Sequence, residues 1–133
     1  MPTFDVDREE ITAFEVDGTY LFKQYFDRDD VFEALKSYYK SDEFRFEVPE
    51  DELDGAKQIL DEYFFDLRID DDLHSYCVVM EQGDDYSDVL RNSVLTRRRG
   101  SNVVFLMKDL LSVEQAVEQG ARRLSETDVN TVP

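Results

Sequence analysis

Residues 11–26 are ITAFEVDGTYLFKQYF, two apolar and aromatic runs joined by Asp17-Gly18. Aspartate followed by glycine fits a two-residue type I′ turn, in which both central residues take a positive φ. The stretch therefore predicts a β-hairpin with strands over 11–16 and 19–26. We expect its aromatic side chains to pack mainly in the core. If the hairpin lies at a sheet edge, it also offers a route to homo-oligomers through residues 11–26.

Further along the chain, helical and strand patterns alternate. Apolar residues at helical spacing predict helices over 29–40, 49–63, 83–100 and 112–124. Alternating or continuous apolar runs predict strands over 43–48, 65–69, 73–80 and 102–107, the last being the most apolar and therefore central in its sheet. The order β-β-α-β-α-β-β-α-β-α predicts an α+β fold, with helices packed on a mixed or mostly antiparallel sheet.

The chain contains no linker rich in glycine, proline or serine. Its length is typical of one domain, so we expect a single domain over 1–133, with loose ends at 1–10 and 126–133. The segments 19–63 and 73–124 share the order strand, helix, strand, helix. That order suggests a structural duplication, although the residues of the two segments barely match.

Charge is the strongest compositional signal. The chain has 32 acidic and 15 basic residues, for a net charge of −17, and its cations are 10 Arg but only 5 Lys. Such self-repulsion destabilises a compact protein in dilute buffer, whereas at about 1 M salt the Debye length is only about 3 Å. The composition resembles that of haloarchaeal cytoplasmic proteins and predicts a salt-in halophile. The alternative is an acidic protein of an ordinary cell that mimics nucleic acid or captures basic proteins through residues 1–90.

Several features predict a cytoplasmic protein without membrane association. Cys77 is the only cysteine, so an intramolecular disulfide cannot form. Residues 1–10 lack the basic region and apolar run of a signal peptide. No stretch approaches the roughly 18 apolar residues of a membrane span.

Positive charge is concentrated in the last third of the chain. Residues 1–90 hold 27 acidic and 8 basic side chains, a net of −19, whereas residues 91–133 hold 5 and 7, a net of +2. Guanidinium groups bind phosphate and carboxylate through paired hydrogen bonds. Two clusters of arginine are therefore the candidate site for an anion or a partner. Those clusters are Arg97, Arg98 and Arg99, and Arg122 and Arg123. The alternative is charge compensation, because both clusters are expected at helix C-termini.

The sequence offers little for catalysis. His74 and Cys77 are three apart in a predicted strand, where they would point to opposite faces, and zinc needs about four such ligands. We expect Cys77 in the core and His74 at a strand edge on the surface. The acidic runs Asp70–Asp72 and Asp84-Asp85 lack EF-hand spacing and predict a turn and a helix cap. Motifs for phosphate loops, nucleophile elbows and zinc proteases are absent, so we predict no catalytic residue, metal or cofactor.

These features predict a non-enzymatic binding or regulatory module that docks a macromolecular partner through its arginine-bearing last third. Protein or RNA is the expected partner. DNA is not expected, because counterion release drives little binding at molar salt. The alternative is a small enzyme or enzyme subunit acting on an anionic metabolite, which requires a concave pocket with arginine and a carboxylate of shifted pKa.

Overall fold

A computed structural model describes residues 8–127 of the chain. The chain divides into two compact units, Met1–Ile69 and Asp70–Pro133. The prediction of a single domain over 1–133 stays a prediction. Of the expected loose ends, only residues 8–10 and 126–127 belong to the described part of the chain; the others lie outside it. Among residues 8–127, no helix is long and apolar enough to cross a membrane.

The first unit consists of a five-stranded mixed sheet and two helices. Its elements are β1 (Glu9–Val16), β2 (Thr19–Phe22), α1 (Asp29–Leu35), β3 (Tyr39–Lys40), β4 (Arg45–Pro49), α2 (Leu53–Glu62) and β5 (Phe65–Ile69). The strand order is β3-β4-β2-β1-β5, in which β1 and β5 are parallel and the other pairs are antiparallel. Glu9 and Glu10 belong to β1, which corrects the expectation of a loose end up to residue 10.

The predicted hairpin is present and lies inside this sheet. Asp17 and Gly18 have φ values of 52° and 80°, as a type I′ turn requires. The return strand ends at Phe22 rather than at residue 26. Because β4 flanks the hairpin on one side and β5 on the other, the edge position that self-association through residues 11–26 needs is not available.

Both helices of the first unit cover the same face of its sheet. Val31 and Leu35 of α1 are fully buried in a core that also contains Ala56 and Leu60 of α2. The sheet contributes Ile11, Ala13, Phe22, Phe46 and Val48 to that core. The rings of Phe22 and Phe46 stack with centroids 5.0 Å apart, and the Phe26 ring meets Phe46 edge-on. The aromatic residues of the hairpin region therefore pack mainly in the core, as expected.

The second unit consists of a four-stranded antiparallel sheet and two short helices. Its elements are β6 (Cys77–Glu81), α3 (Ser87–Arg91), β7 (Ser93–Arg99), β8 (Asn102–Met107), α4 (Leu110–Glu118) and β9 (Arg122–Arg123). The strand order β7-β8-β6-β9 confirms the predicted central position of the most apolar strand, β8. Val89, Val113 and Ala116 of the helices share a core with Phe105 and its neighbours on one sheet face.

The predicted helix over 83–100 is wrong beyond Arg91. Residues 93–99 form β7, which joins β8 through a tight turn at Gly100 and Ser101. Gly100 has a φ of 61°, and a glycine at the first central position is typical of a type II′ hairpin turn. Pairing with the apolar strand β8 outweighs the helical spacing of the local sequence, because cross-strand packing decides strand formation more than intrinsic propensity.

Several further boundaries differ from the predictions. Helix α1, predicted to reach residue 40, ends at Leu35, and residues 39–40 form β3 instead. Helix α4 begins after Asp109, which is its N-cap, and not at the predicted Ser112. The helix ends at Glu118, two residues before Gly120, whose φ of 103° is incompatible with a continuing helix. Residues 73–76 form a 3₁₀ turn, so the strand predicted over 73–80 begins only at Cys77.

The two units share one connectivity. Elements β2-α1-β3-β4-α2-β5 and β6-α3-β7-β8-α4-β9 both follow the order β-α-β-β-α-β. In both, at least one other strand lies between the two strands that each helix connects, which defines the split β-α-β arrangement. The first unit differs by the insertion of β1 between β2 and β5. The α+β prediction is confirmed, and the shared connectivity agrees with the order that segments 19–63 and 73–124 have in common.

Candidate functional site

The five candidate arginines lie on the two outer strands of the second unit's sheet. Arg97, Arg98 and Arg99 are the last three residues of β7, and Arg122 and Arg123 make up β9. Neither cluster belongs to a helix. The expectation that both clusters lie at the C-terminal ends of helices is therefore wrong, since β7 and β9 carry them.

The two clusters remain apart. Residues Arg97, Val104, Val79 and Arg122 are aligned across the four strands and share the sheet face opposite the helices. Three strand spacings separate Arg97 from Arg122, a distance of about 14 Å. Arg98 is aligned with Val103 and lies on the helix-covered face. The arginines thus form two edge clusters and not one shared patch.

The clusters are accessible, and no carboxylate of the described residues pairs with them. Arg97, Arg98 and Arg122 are exposed, whereas Arg99 and Arg123 are half-buried. Within residues 8–127, none of these five guanidinium groups forms an ion pair with a carboxylate.

The other five arginines of the chain all form ion pairs. For example, Arg8 Nη2 lies 2.7 Å from Asp66 Oδ1, and hydrogen bonding to this arginine lowers the pKa of the Asp66 carboxyl. The further pairs are Arg8 with Asp61, Arg28 with Asp30, Arg45 with Glu43 and Glu47, Arg68 with Glu10, and Arg91 with Asp88. As far as residues 8–127 are concerned, the ten arginines thus divide into five with carboxylate partners and the five candidate residues without one.

Cys77 is a core cysteine, as predicted. Its Sγ donates a hydrogen bond to the carbonyl oxygen of Leu73 at 3.3 Å. Burial, with a smaller contribution from the charge of Asp72, raises the pKa of the thiol to about 12. His74 is exposed on the 3₁₀ turn and not at a strand edge, so the predicted placement was wrong although its surface exposure was right. The raised pKa disfavours the thiolate form of Cys77.

The acidic runs stabilise turns. Asp70 accepts hydrogen bonds from the Asp72 N–H at 2.9 Å and the Tyr76 hydroxyl at 2.7 Å. Asp85 accepts from the N–H and the hydroxyl of Ser87, which lowers the pKa of its carboxyl. Among the described residues, no three His, Cys, Asp or Glu side chains are grouped as metal ligands.

Two surface hollows lie in the first unit, and neither contains an arginine. One, of about 150 Å³, is lined by Lys23, Gln24, Tyr25, Phe26, Phe32, Tyr39, Phe44 and Phe46. The other, of about 330 Å³, is lined by Thr19, Ser37, Tyr38, Lys40, Glu47, Pro49 and Glu52. Neither hollow provides the arginine that the enzyme alternative requires.

Sequence reasoning identified the arginines but not the strand edge that carries them. The missed signal is the Gly100-Ser101 pair between two runs of high β-propensity, which fits a two-residue hairpin turn. No protein-family model, curated protein or solved structure matches the chain.

Proposed function

We propose that the chain is a non-enzymatic binding or regulatory module that docks an anionic surface of a macromolecular partner through Arg97, Arg98 and Arg99. The observation that carries the proposal is the division of the arginines. Acidic residues outnumber basic ones 32 to 15, yet the three arginines at the end of β7 have no carboxylate partner within residues 8–127.

Unpaired guanidinium groups suit recognition of anions. Each presents five N–H donors in a planar fork that matches carboxylate or phosphate, and each is more weakly hydrated than a lysine ammonium. Arg97 and Arg98 are exposed, so a partner reaches them without displacing an internal ion pair. Adjacent residues of a strand point to opposite faces, so the cluster presents guanidinium groups on both sides of β7.

Protection of the strand edge is the competing explanation. Charged residues on an outer strand discourage pairing with other chains, and β7 is an outer strand. That role depends on the presence of charge and not on its sign. Docking of an anionic partner depends on positive charge. Substitutions that replace arginine by a negatively charged residue therefore separate the two roles.

The proposed docking can be tested by affinity purification from an extract of the source organism, held at its native ionic strength. We expect a stoichiometric partner with the unmodified chain. Substituting Arg97, Arg98 and Arg99 together by alanine, or together by glutamate, should abolish its recovery. The matched control substitutes Arg122 and Arg123, at the opposite edge, and should retain the partner.

Circular dichroism and gel filtration of each variant would show that the fold persists. Equal recovery of the partner by the triple variants would refute the site. Aggregation of the alanine variant, with a soluble glutamate variant that still recovers the partner, would favour edge protection.

We further propose that the chain works in a salt-rich cytoplasm. The net charge of −17 and the preference for arginine over lysine support this setting. At about 1 M salt, the Debye length of about 3 Å leaves only direct contacts effective. Hydrogen-bonded guanidinium contacts persist under such screening better than long-range attraction does.

A further inference from the structure

The outer edge of β7 has a defined hydrogen-bonding pattern. A two-residue turn at Gly100 and Ser101 makes Arg99 and Asn102 the hydrogen-bonded closing pair of the β7–β8 hairpin. Hydrogen-bonded and non-hydrogen-bonded pairs alternate along antiparallel strands. The backbone N–H and C=O groups of Arg98 and Thr96 therefore point away from β8, toward the outside of the sheet.

This edge is accessible where the arginines lie. Thr96, Arg97 and Arg98 are all exposed. Among the strands of the second unit, β7 pairs only with β8. The outward donors and acceptors of residues 96 and 98 are spaced as an additional strand requires, and such addition is a known mode of peptide recognition.

We propose that β7 binds an extended acidic segment of a protein partner, which adds to the sheet as an outer strand beside Thr96–Arg99. This inference rests on the proposed function and specifies its partner. Backbone hydrogen bonds would hold the segment, while its carboxylates would face Arg97 and Arg99 on one side of the sheet and Arg98 on the other. Opposite charges on directly paired residues stabilise strand pairing.

Charge complementarity selects this occupant over a second copy of the chain. In a self-paired β7, arginines of the two copies would lie close together, and like charges directly opposite are destabilising. RNA would engage the guanidinium groups through phosphates and would leave the outward backbone groups of β7 without strand-like partners. An acidic polypeptide satisfies both the side chains and the backbone of this edge.

The test uses a fluorescent synthetic peptide, a run of glutamates flanked by valine and threonine, titrated with the full chain at about 1 M KCl. Two changes remove strand pairing but keep every charge. The first is N-methylation of alternate peptide residues. The second is Thr96→Pro, which removes an outward N–H; proline is tolerated at such edge positions. Each should weaken binding about tenfold or more.

Thr96→Val is the matched control for the proline variant. It keeps the backbone N–H and a high β-propensity, so it should bind the peptide as tightly as the unmodified chain does. The N-methylated peptide tests the same hydrogen bonds from the ligand side, and it does so even if the proline variant fails to fold. Single-stranded RNA serves as the competing probe.

The outcomes separate this inference from the proposed function. Loss of peptide binding with Thr96→Pro, the N-methylated peptide and the triple arginine-to-alanine variant supports strand addition. Binding that requires the arginines but tolerates both backbone changes overturns strand addition and leaves anion docking intact. Failure to bind the peptide, together with tight RNA binding through the same arginines, also overturns strand addition. Binding of both probes that does not require the arginines overturns both proposals.

Discussion

Cys77 shows how burial changes the chemistry of a single side chain. A thiol reacts as the thiolate, and burial raises the pKa of this one to about 12, against an ordinary value of about 8.5. We expect alkylation by iodoacetamide near pH 8 to be very slow in the folded chain and rapid in denaturant. Mass spectrometry gives a clean measurement, because the chain has one cysteine. Equal labelling rates in the two states would contradict the buried position.

Asp109 caps helix α4 through its carboxylate. Its Oδ1 accepts a hydrogen bond from the Ser112 N–H at 2.7 Å. Burial opposes ionisation of this carboxyl, but bonds from Ser112 and the nearby charge of Lys108 outweigh burial and lower its pKa. We expect Asp109→Ala to reduce the free energy of unfolding by about 1 kcal/mol near neutral pH, measured by urea denaturation.

The contribution of Asp109 depends on pH in a direction that follows from its lowered pKa. Its stabilisation is fully present above the ordinary carboxyl pKa of the unfolded chain and disappears as the pH falls through the folded pKa. The difference between Asp109→Ala and the unmodified chain should therefore shrink in strong acid. Glu114→Ala, at an exposed position of the same helix, is the control and should show no comparable loss.

At the residue scale, the burial or role of a side chain could be predicted where the neighbouring residues in the sequence determine it. The low polarity around Cys77 follows from the apolar run that contains it. The helix predicted over 112–124 would begin at Ser112, but Asp109 three residues earlier is the actual N-cap of α4. Both residues suit a cap chemically, and the choice between them depends on where β8 ends.

At the scale of elements, replacing two glycines by alanine is expected to change the stability in opposite directions, because their backbone conformations differ. Gly18 has a φ of 80° in the β1–β2 turn, so Gly18→Ala should destabilise the chain by roughly 1–2 kcal/mol although no atom blocks a methyl group. Gly55 lies within helix α2 with open space around its Cα, so Gly55→Ala should stabilise the chain by roughly 0.5–1 kcal/mol. Urea unfolding of both variants measures the contrast. A loss of similar size at both positions would contradict the conformational argument.

Elements could be predicted where a local pattern and its partners agree. The strand Phe65–Ile69 has the predicted bounds, because alternation and flanking turns define it locally. Strand β7 was missed despite the turn signal of Gly100-Ser101, because Tyr86, Val89, Leu90 and Val94 also fit helical spacing. Only pairing with β8 decides between the alternatives, and that pairing is not visible in a short window. The two-residue strands β3 and β9 depend entirely on their neighbours for the same reason.

At the scale of the whole molecule, charge predicts a strong dependence of stability on salt. Raising KCl from roughly 0.1 M to roughly 1 M shortens the Debye length from about 10 Å to about 3 Å and screens the repulsion of a chain with net charge −17. We expect the thermal midpoint to rise steeply over this range, followed by circular dichroism.

A neutralised variant controls for general effects of salt on folding. Glu50→Gln with Asp51→Asn removes two exposed charges from an acidic run and should make the rise of the midpoint shallower. A midpoint that does not depend on KCl would contradict the salt-adapted interpretation and would favour a specific role for the negative surface.

The candidate site could be predicted only in part at this scale. The uneven charge distribution identified the five arginines, because it depends on composition alone. Their arrangement as two edge clusters follows from the strand order β7-β8-β6-β9, which long-range pairing determines. Because helical positions are expected for both clusters from the sequence, the exposed strand edge at which docking is proposed could not be predicted.

The strand order also constrains how each unit is completed during synthesis. In the first unit, the earliest strand, β1, pairs with the last, β5, and in the second unit β6 pairs with the last strand, β9. Contacts between distant residues form slowly, because a long loop must close before they contribute. On the ribosome, one hydrogen-bonding edge of each first strand therefore remains unpaired until its unit is almost fully translated. A chain released before residue 122 is added would leave this edge of the apolar strand β6 unpaired. Such a chain would be prone to aggregate.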